Sequence, residues 1–237
     1  MRIKFLGTGV AVHNSKKAQS GILIEDESRI LVDCGIGTFL RLEQAGVDVR
    51  DLDAILITHN HLDHNGDLLA ILKARWLLNS DKIEIYGPKG TKQFLNDLLN
   101  VYKYLDGKIK YEVFENDKFW INEFEIKTIK TFHSITSQAY VVNDKVVISG
   151  DTRAFKELME VDCNVLIHEL SLPFGYEAID HTTPENLLEN LKYCKAERIY
   201  LTHIYPMAYE IIDEIVGYLM QSGKEILIAR DMDEFEV

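Results

Sequence analysis

Short runs of branched apolar residues alternate along the chain with longer segments in which apolar and polar residues follow a helical period. The runs predict buried strands, and the longer segments predict amphipathic helices. The predicted strands cover residues 22–24, 30–32, 54–57, 83–86, 139–142, 146–149, 165–167, 199–201 and 226–228. The predicted helices cover residues 68–78, 91–101, 183–193 and 209–220. This alternation is typical of the α/β class.

The composition favours one folded domain. The chain has 237 residues, of which 46% are hydrophobic, and no low-complexity linker divides it, so we predict a single domain over residues 1–237. Its three cysteines, Cys34, Cys163 and Cys194, do not form a paired framework, which favours free thiols in the cytoplasm. No apolar stretch approaches the roughly 20 residues of a membrane span, so we expect no membrane contact.

The charge of the chain is acidic. It has 26 basic and 38 acidic residues, which gives a formal net charge of −12 at pH 7. Such a charge argues against nonspecific binding to nucleic-acid backbones or anionic lipid. A phosphate-bearing substrate would therefore need a local site of positive charge.

A dense group of metal-ligand side chains follows the predicted strand 54–57. The pattern HxHxDH is formed by His59, His61, Asp63 and His64. Imidazole and carboxylate groups suit zinc and other borderline divalent ions. Residues two apart in an extended loop face the same side, so His59 and His61 can bind one ion while Asp63 and His64 turn toward a second. A histidine-rich surface loop is the alternative, but this spacing is far more specific than an isolated pair of histidines.

Four ligands from one loop cannot complete two coordination shells, so further donors are expected where other predicted strands end. His133 follows the β-like run 124–129, Asp151 follows strand 146–149 and His203 follows strand 199–201. Taken singly, each could instead be a buried histidine or a capping aspartate. A carboxylate can bridge two cations, so Asp151 is the natural shared ligand. The predicted sets are His59, His61, His133 and Asp151 for one ion, and Asp63, His64, His203 and Asp151 for the other.

Two divalent ions about 3.5 to 4 Å apart can share a water, lower its pKa toward neutrality and clamp the oxygens of a displacement reaction. The predicted chemistry is therefore hydrolysis by a metal-bridging hydroxide. The ions also supply local positive charge, so the acidic composition does not exclude a phosphate ester.

Several motifs across the chain accompany the HxHxDH pattern. They are Leu6-Gly7-Thr8-Gly9, Leu31-Val32-Asp33-Cys34-Gly35, Ser149-Gly150-Asp151-Thr152-Arg153, His168-Glu169, His181-Thr182-Thr183 and Leu201-Thr202-His203. Together they resemble the metallo-β-lactamase superfamily and, within it, the ribonuclease Z-like group. The resemblance implies an αββα four-layer sandwich with a dinuclear zinc site on the seven residues assigned above. Mn²⁺ or Fe²⁺ in place of Zn²⁺ stays open.

The resemblance also implies catalytic roles for three side chains. His181 matches the histidine that protonates the departing oxygen, and Glu169 matches the carboxylate that orients this histidine. Asp63 matches the base proposed for the metal-bound water, although its role as a ligand is enough to explain its presence. The structural alternatives are an exposed loop histidine for His181 and a pairing or capping role at the sheet edge for Glu169.

Two departures from the group bear on the substrate. Beyond the last metal histidine the chain has Met207-Ala208-Tyr209 where the group usually has Arg before Tyr, so a phosphate contact is expected to be missing. The predicted hairpin between residues 138 and 149 turns through only Asn143-Asp144, where ribonuclease Z inserts a long arm that grips transfer RNA. We therefore expect a small phosphodiester or a short nucleotide as substrate, and no stable complex with transfer RNA.

Other hypotheses about the function remain open. The same metal site could hydrolyse a thioester, a lactone or another carboxylic ester, or the fold could survive as a non-enzymatic metal-binding domain. The resemblance also leaves a homodimer open. The basic residues Arg2, Lys4, Lys16 and Lys17 could bind substrate phosphate beside the site, or could be ordinary solvated charges.

Overall fold

The computed structural model describes residues 1–12 and 15–237 and contains two seven-stranded sheets. The first sheet comprises β1 (Arg2–Gly7), β2 (Gly21–Glu25), β3 (Arg29–Val32), β4 (Ala54–Leu56), β5 (Ile83–Tyr86), β6 (Tyr111–Phe114) and β14 (Glu234–Glu236). The second comprises β7 (Lys118–Ile121), β8 (Phe124–Lys130), β9 (Gln138–Val142), β10 (Val146–Ile148), β11 (Val165–Glu169), β12 (Arg198–Thr202) and β13 (Glu225–Ile228). The spatial orders are β14-β1-β2-β3-β4-β5-β6 and β13-β12-β11-β10-β9-β8-β7.

Helices cover the outer faces of both sheets. They are α1 (Thr38–Gln44), α2 (Leu62–Asn65), α3 (Leu68–Leu77), α4 (Thr91–Val101), α5 (Lys156–Met159), α6 (Pro184–Leu191), α7 (Pro206–Tyr209) and α8 (Ile212–Leu219). Three short 3-10 helices cover Val49–Asp51, Lys103–Leu105 and Met220–Ser222. None of the helices in the described part of the chain is long and apolar enough to span a membrane.

The strands show the two-residue periodicity of a sheet that is buried on both faces. In β3, Ile30 and Val32 belong to a core that also contains second-sheet residues, while Leu31 packs in a core with α1, α3 and α4. In β11, Ile167 faces the core shared by the sheets and Leu166 packs with α5, α6 and α8. These three apolar layers separate four layers of secondary structure, which confirms the predicted αββα sandwich.

The parallel strands of each sheet position the functional loops. Strands β3 to β6 are parallel in the first sheet, and β10 to β13 are parallel in the second. An isolated bridge between His59 and Ser137 joins the loop after β4 to the segment before β9. The buried Tyr140 hydroxyl adds a second link, donating a hydrogen bond to the Ile57 carbonyl at 2.8 Å. The loops that leave β4, β10, β11 and β12 therefore meet at one edge of the sandwich.

Local sequence signals explain several boundaries. Thr183 caps α6 by accepting a hydrogen bond from the Asn186 amide, and Pro184 occupies the first helical turn, as predicted. Asn143 and Asp144 have φ values of 52° and 51°, and Val142 pairs with Val146. With Val142 paired to Val146, the turn comprises residues 143–145, one residue more than predicted, and no arm is inserted there.

The helix predicted over residues 209–220 is confirmed only over residues 212–219. The structure has two helices instead, because α7 begins at Pro206 and ends at Tyr209. Ile211 then leaves the helical conformation, with φ −117° and ψ 25°, before α8 begins at Ile212. The strands β6, β7 and β14 and the helix α1 were not predicted, because their sequences lack a run of branched apolar residues or a long helical period.

Candidate metal centre

The loop after β4 presents His59 and His61 to a common point. Their backbone is extended before α2 begins at Leu62, and Nε2 of His59 lies 3.1 Å from Nδ1 of His61. His133, in the loop after β8, brings its Nε2 to 3.0 Å from the same His61 nitrogen. Asp151, in the loop after β10, places Oδ2 at 3.8 Å from His59 Nε2 and 4.0 Å from His133 Nε2. These four side chains form the first group.

A second group lies directly beside the first. The short helix α2 carries Asp63 and His64, whose Oδ2 and Nε2 atoms are 4.0 Å apart. His203, which follows β12, places its Nε2 at 3.2 Å from Asp63 Oδ2 and 3.3 Å from His64 Nε2. Asp151 faces this group through its other oxygen, because Oδ1 lies 3.3 Å from His64 Nε2. The structure therefore brings all seven predicted ligand residues together.

The backbone around the site is held in unusual conformations. Gly150 has φ 58°, and a Cβ atom there would come within 2.8 Å of the Thr58 side chain, so the turn that delivers Asp151 requires glycine. His203 and Asp33 are not glycines but have φ values of 51° and 58°. Such conformations cost about 1 kcal/mol or more each and persist only where the surroundings enforce them, typically at functional sites.

Asp151 is the side chain that fits a pair of cations best. It is 3% exposed, and its Oδ1 atom has no hydrogen-bond partner among the described residues. A buried carboxylate oxygen without a partner is costly, whereas a cation would satisfy it. Each oxygen of this carboxylate faces a different group of imidazoles. The nitrogen and oxygen donors fit zinc or another borderline divalent ion.

Burial favours the neutral, cation-binding form of two of the imidazoles, those of His59 and His61. Burial, together with the neighbouring His64, pushes the pKa of His59 far below its ordinary value, and burial beside His133 lowers the pKa of His61. Both rings are then neutral at pH 7 and keep a lone pair for a ligand. Burial raises the pKa of Asp151, but the surrounding histidines outweigh it and hold this pKa well below its usual range.

Neighbouring groups fix the orientation of the rings. The Asp33 carboxylate lies 2.7 Å from Nδ1 of His64 and accepts hydrogen bonds from the amide and hydroxyl of Thr58, each at 2.8 Å. Nδ1 of His133 lies 2.9 Å from the Asp180 carbonyl, and Nδ1 of His203 lies 3.1 Å from the Ser171 hydroxyl. Such contacts set the tautomer and the direction of a metal-binding histidine. Sequence reasoning assigned no role to Asp33, Asp180 or Ser171, although the motif 31–35 was a signal for the first.

His181 and Glu169 form a separate pair at the edge of the cluster. Nδ1 of His181 lies 2.8 Å from Oε1 of Glu169 and 4.0 Å from Oδ2 of Asp151. Glu169 is buried and also accepts hydrogen bonds from the amides of Thr152 and Ser171, each at 2.9 Å. Burial lowers the pKa of His181, but the hydrogen bond and charge of Glu169 outweigh this and raise it to about 9. The ring is thus held as a proton donor beside the two groups.

Three of the basic residues that the sequence suggested as phosphate contacts have partners in the structure. Arg2 and Lys4 lie at the start of β1 and form ion pairs with Glu25 at 2.9 Å and Glu234 at 2.7 Å. Lys17 belongs to the loop 7–20, of which residues 13 and 14 lie outside the described residues, and its Nζ is 4.3 Å from the centroid of the Tyr209 ring. Arg2 and Lys4 are therefore occupied by acids of neighbouring strands.

Comparison with known proteins gives a consistent result. The family model described as Anti-Pycsar protein Apyc1 matches residues 1–219. The ribonuclease Z of Methanopyrus kandleri is 32% identical over an alignment 246 positions long, which covers 85% of this chain and 86% of the relative.

Solved structures show the same architecture over the whole chain. The metallo-β-lactamase fold protein YhfI from Bacillus subtilis has a TM-score of 0.86 at 22% identity and covers 100% of this chain and 99% of its own. The short form of human tRNase Z has a TM-score of 0.80 at 25% identity, with the same coverage of both chains. At 22% identity, the likeness to YhfI shows a shared fold and nothing more. The likeness to human tRNase Z is consistent with the ribonuclease Z found by sequence comparison.

Proposed function

Because the chain belongs to the family of the Anti-Pycsar protein Apyc1 and to the ribonuclease Z-like group of the metallo-β-lactamase superfamily, we propose that it is a metal-dependent phosphodiesterase. The observation that carries this proposal is the buried Asp151 carboxylate, whose two oxygens face two groups of imidazoles while one lacks any hydrogen-bond partner among the described residues. A site built this way fits a pair of cations, and a pair of cations fits hydrolysis of a phosphate ester.

Two zinc ions are the proposed cofactors. His59, His61, His133 and Asp151 would hold one, and Asp63, His64, His203 and Asp151 would hold the other. When bound, such a pair activates water near neutral pH and neutralises charge on the phosphate. Asp33 would keep the His64 ring in place through its 2.7 Å contact.

His181 is the proposed general acid. Its raised pKa keeps the ring protonated at neutral pH, so it can give a proton to the oxygen that leaves the phosphate. Glu169 accepts from Nδ1 and therefore directs Nε2 away from itself. Because the amides of Thr152 and Ser171 hold Glu169, its carboxylate is a fixed anchor for this ring. For Asp63 we propose a ligand role, with proton acceptance from the attacking water as a second one.

The proposed substrate is a small phosphodiester or a short nucleotide. The turn between β9 and β10 spans only residues 143–145 and leaves no arm that could hold a large RNA. The loops that carry the candidate site residues also expose apolar side chains, namely Leu62 beside His61, Phe132 beside His133, and Ile179 near His181. An apolar border of this kind favours a compact substrate over a long polyanionic strand.

We further propose that residues 1–237 act as one domain, because both sheets share one core and supply residues to one cluster. The described thiols of Cys34, Cys163 and Cys194 are all free, which supports a reducing cytoplasmic location. A homodimer would give a single sedimenting species of about twice the 27.2 kDa chain mass, which analytical ultracentrifugation can test.

The test combines metal analysis with a substrate panel. The purified protein should contain close to two equivalents of divalent metal by inductively coupled plasma mass spectrometry. Metal content and activity should both fall in His59→Ala but not in Asp144→Asn, which changes an exposed carboxylate of the hairpin turn. The panel contains bis(p-nitrophenyl) phosphate, 2′,3′-cyclic nucleotides, a thioester and a lactone. Turnover of the carbonyl substrates alone would overturn the proposal in favour of a carboxylic ester hydrolase, and a metal-loaded protein inactive on all four would indicate a binding domain.

A further inference from the structure

Asp231 ties the loop after β1 to the C-terminal part of the chain. Its side chain is 7% exposed and accepts hydrogen bonds from the Thr8 amide at 3.0 Å, the Thr8 hydroxyl at 2.8 Å and the Ala18 amide at 2.7 Å. Arg41 adds a longer contact at 3.4 Å. The carboxylate is therefore fully engaged in holding this loop. It has little capacity left to neutralise the other cations nearby.

Two such cations are Lys17 and Arg230. Lys17 lies against the Tyr209 ring and forms no ion pair with any described residue, while the Arg230 guanidinium makes neither a hydrogen bond nor an ion pair within the same part of the chain. Burial lowers the pKa of Lys17, and the charge of Asp231 only partly opposes this. Holding a half-buried cation without an ion-pair partner costs free energy, which a bound anion would recover.

Both cations line one cavity. Its volume is about 480 Å³, and its walls are Ser15, Lys16, Lys17, Tyr209, Arg230 and Asp231. A neighbouring cavity of about 200 Å³ shares Lys17 and Tyr209 and is also lined by Ile204, which directly follows His203 in the chain. A ligand bound at the metal centre could therefore extend past Tyr209 toward the cationic cavity.

We propose that Lys17 and Arg230 form an anion subsite that binds a phosphate group distinct from the one at the metal centre. An arginine fork and a lysine point charge suit the several oxygens of a phosphate better than a single carboxylate. The chain as a whole carries a net charge of −12. In this cavity the balance is reversed, because the only acidic residue among its lining residues is Asp231, whose carboxylate already accepts three hydrogen bonds. Where the phosphate belongs to the substrate, this inference rests on the proposed phosphodiesterase activity.

A lysine over a tyrosine ring does not by itself make such a site. Lys192 has the same arrangement, with Nζ 5.0 Å from the Tyr193 ring, but neither residue is among those that line these two cavities. Lys192→Met is therefore a matched control. It removes a lysine–ring contact of the same kind outside the cavity that Arg230 lines.

The kinetic arm uses two diesters that differ by one phosphate: thymidine 5′-(p-nitrophenyl phosphate) with and without a 3′-phosphate. In the metal-loaded wild type the extra phosphate should lower KM by about tenfold, the usual worth of one or two charge-assisted contacts, with kcat little changed. The Lys17→Met, Arg230→Gln double variant should lose this preference. Lys17→Arg should keep most of it, and Lys192→Met should behave as the wild type.

The binding arm titrates inorganic phosphate calorimetrically into the metal-loaded wild type and the double variant. A binding event lost in the double variant, without a substrate preference in the kinetic arm, would assign the site to a free phosphate ligand. An unchanged titration together with an unchanged KM ratio would overturn the subsite. If neither diester is turned over, the proposed function fails but the titration still decides the subsite. Thermal melting identifies a variant that has merely unfolded, in which case Lys17→Met and Arg230→Gln are tested singly.

Discussion

Replacing Glu169 by glutamine tests the role of His181 as a general acid. In the wild type the Glu169 carboxylate lies 2.8 Å from Nδ1 of His181 and is a main reason why the pKa of that ring is raised to about 9. Glu169→Gln removes the negative charge but keeps the size of the side chain. Without this charge, the pKa of His181 should fall toward its ordinary value of 6.5.

The size of the effect follows from this difference. A fall from about 9 to 6.5 corresponds to about 3 kcal/mol between the protonation states of His181. At pH 8 the protonated fraction would drop from about nine-tenths to about one-thirtieth, so a reaction that needs the acid should slow about thirtyfold. The sign is fixed by the direction of the shift. A raised pKa preserves the acid as pH rises, so the variant should lose activity at a lower pH than the wild type.

The assay is kcat/KM between pH 6 and 10 on two diesters. A 2′,3′-cyclic nucleotide has a poor alkoxide leaving group and needs the proton, whereas bis(p-nitrophenyl) phosphate has a good leaving group and does not. The alkaline limb should move to lower pH in Glu169→Gln only for the first substrate. Bound cations lower the pKa of His181 in both proteins, so the difference between them is the readout.

Two results would refute this reasoning. One is an alkaline limb that stays in place in the variant, and the other is an equal loss on both substrates. The second would indicate that Glu169 acts by holding the local fold, since its carboxylate also accepts from the Thr152 and Ser171 amides. His181→Ala, which keeps Glu169, distinguishes the two roles, because it should depress the cyclic nucleotide reaction far more than the p-nitrophenyl one.

Three further predictions concern the groups around the site. Asp151→Asn should reduce bound metal by at least one equivalent in mass spectrometry and slow phosphodiester turnover by about a thousandfold or more, because the charge proposed to be shared by both ions is lost. Retention of two equivalents of metal would contradict this role of Asp151. Asp33→Asn should weaken metal affinity by about 10- to 100-fold in a competition titration with a chelator, since His64 loses its carboxylate partner, and unchanged affinity would remove Asp33 from the metal centre. Tyr140→Phe should lower the free energy of unfolding in urea by about 1 to 3 kcal/mol, because the Ile57 carbonyl loses its buried donor, while kcat stays close to that of the wild type. An unchanged midpoint of urea unfolding would show that this hydrogen bond between the sheets contributes little to stability.

Much of the candidate site was predictable because parallel strands end at a common edge. His59 follows a strand of the first sheet, and Asp151 and His203 follow strands of the second. Each of these strands has a clear apolar run, so a place at the end of a strand could be expected for all three residues. Asp33 could not be assigned a role in this way. Its function depends on a left-handed backbone and on contacts with Thr58 and His64, and no local pattern of residues encodes these.

The break between α7 and α8 shows another limit of the sequence signal. The apolar period over residues 209–220 runs from the last residue of α7 through α8, but Pro206 starts α7 earlier and Ile211 packs against the core in a non-helical conformation. Tertiary packing overrides the periodicity here. Arg230 could not be linked to Lys17 from the sequence, because the loop after β1 is joined to the C-terminal part of the chain by the hydrogen bonds of Asp231 to Thr8 and Ala18.

The acidic composition and a phosphate substrate are compatible because charge at the site is set locally. The carboxylates of Asp33, Asp63, Asp151 and Glu169 are buried, and each lies within 3.3 Å of an imidazole nitrogen. Two divalent ions would add about four positive charges to this cluster and reverse its sign. The removal of metal by a chelator should therefore abolish phosphodiester binding as well as turnover. A metal-free protein that still bound the substrate phosphate at the cluster would show that the imidazoles alone supply the positive charge.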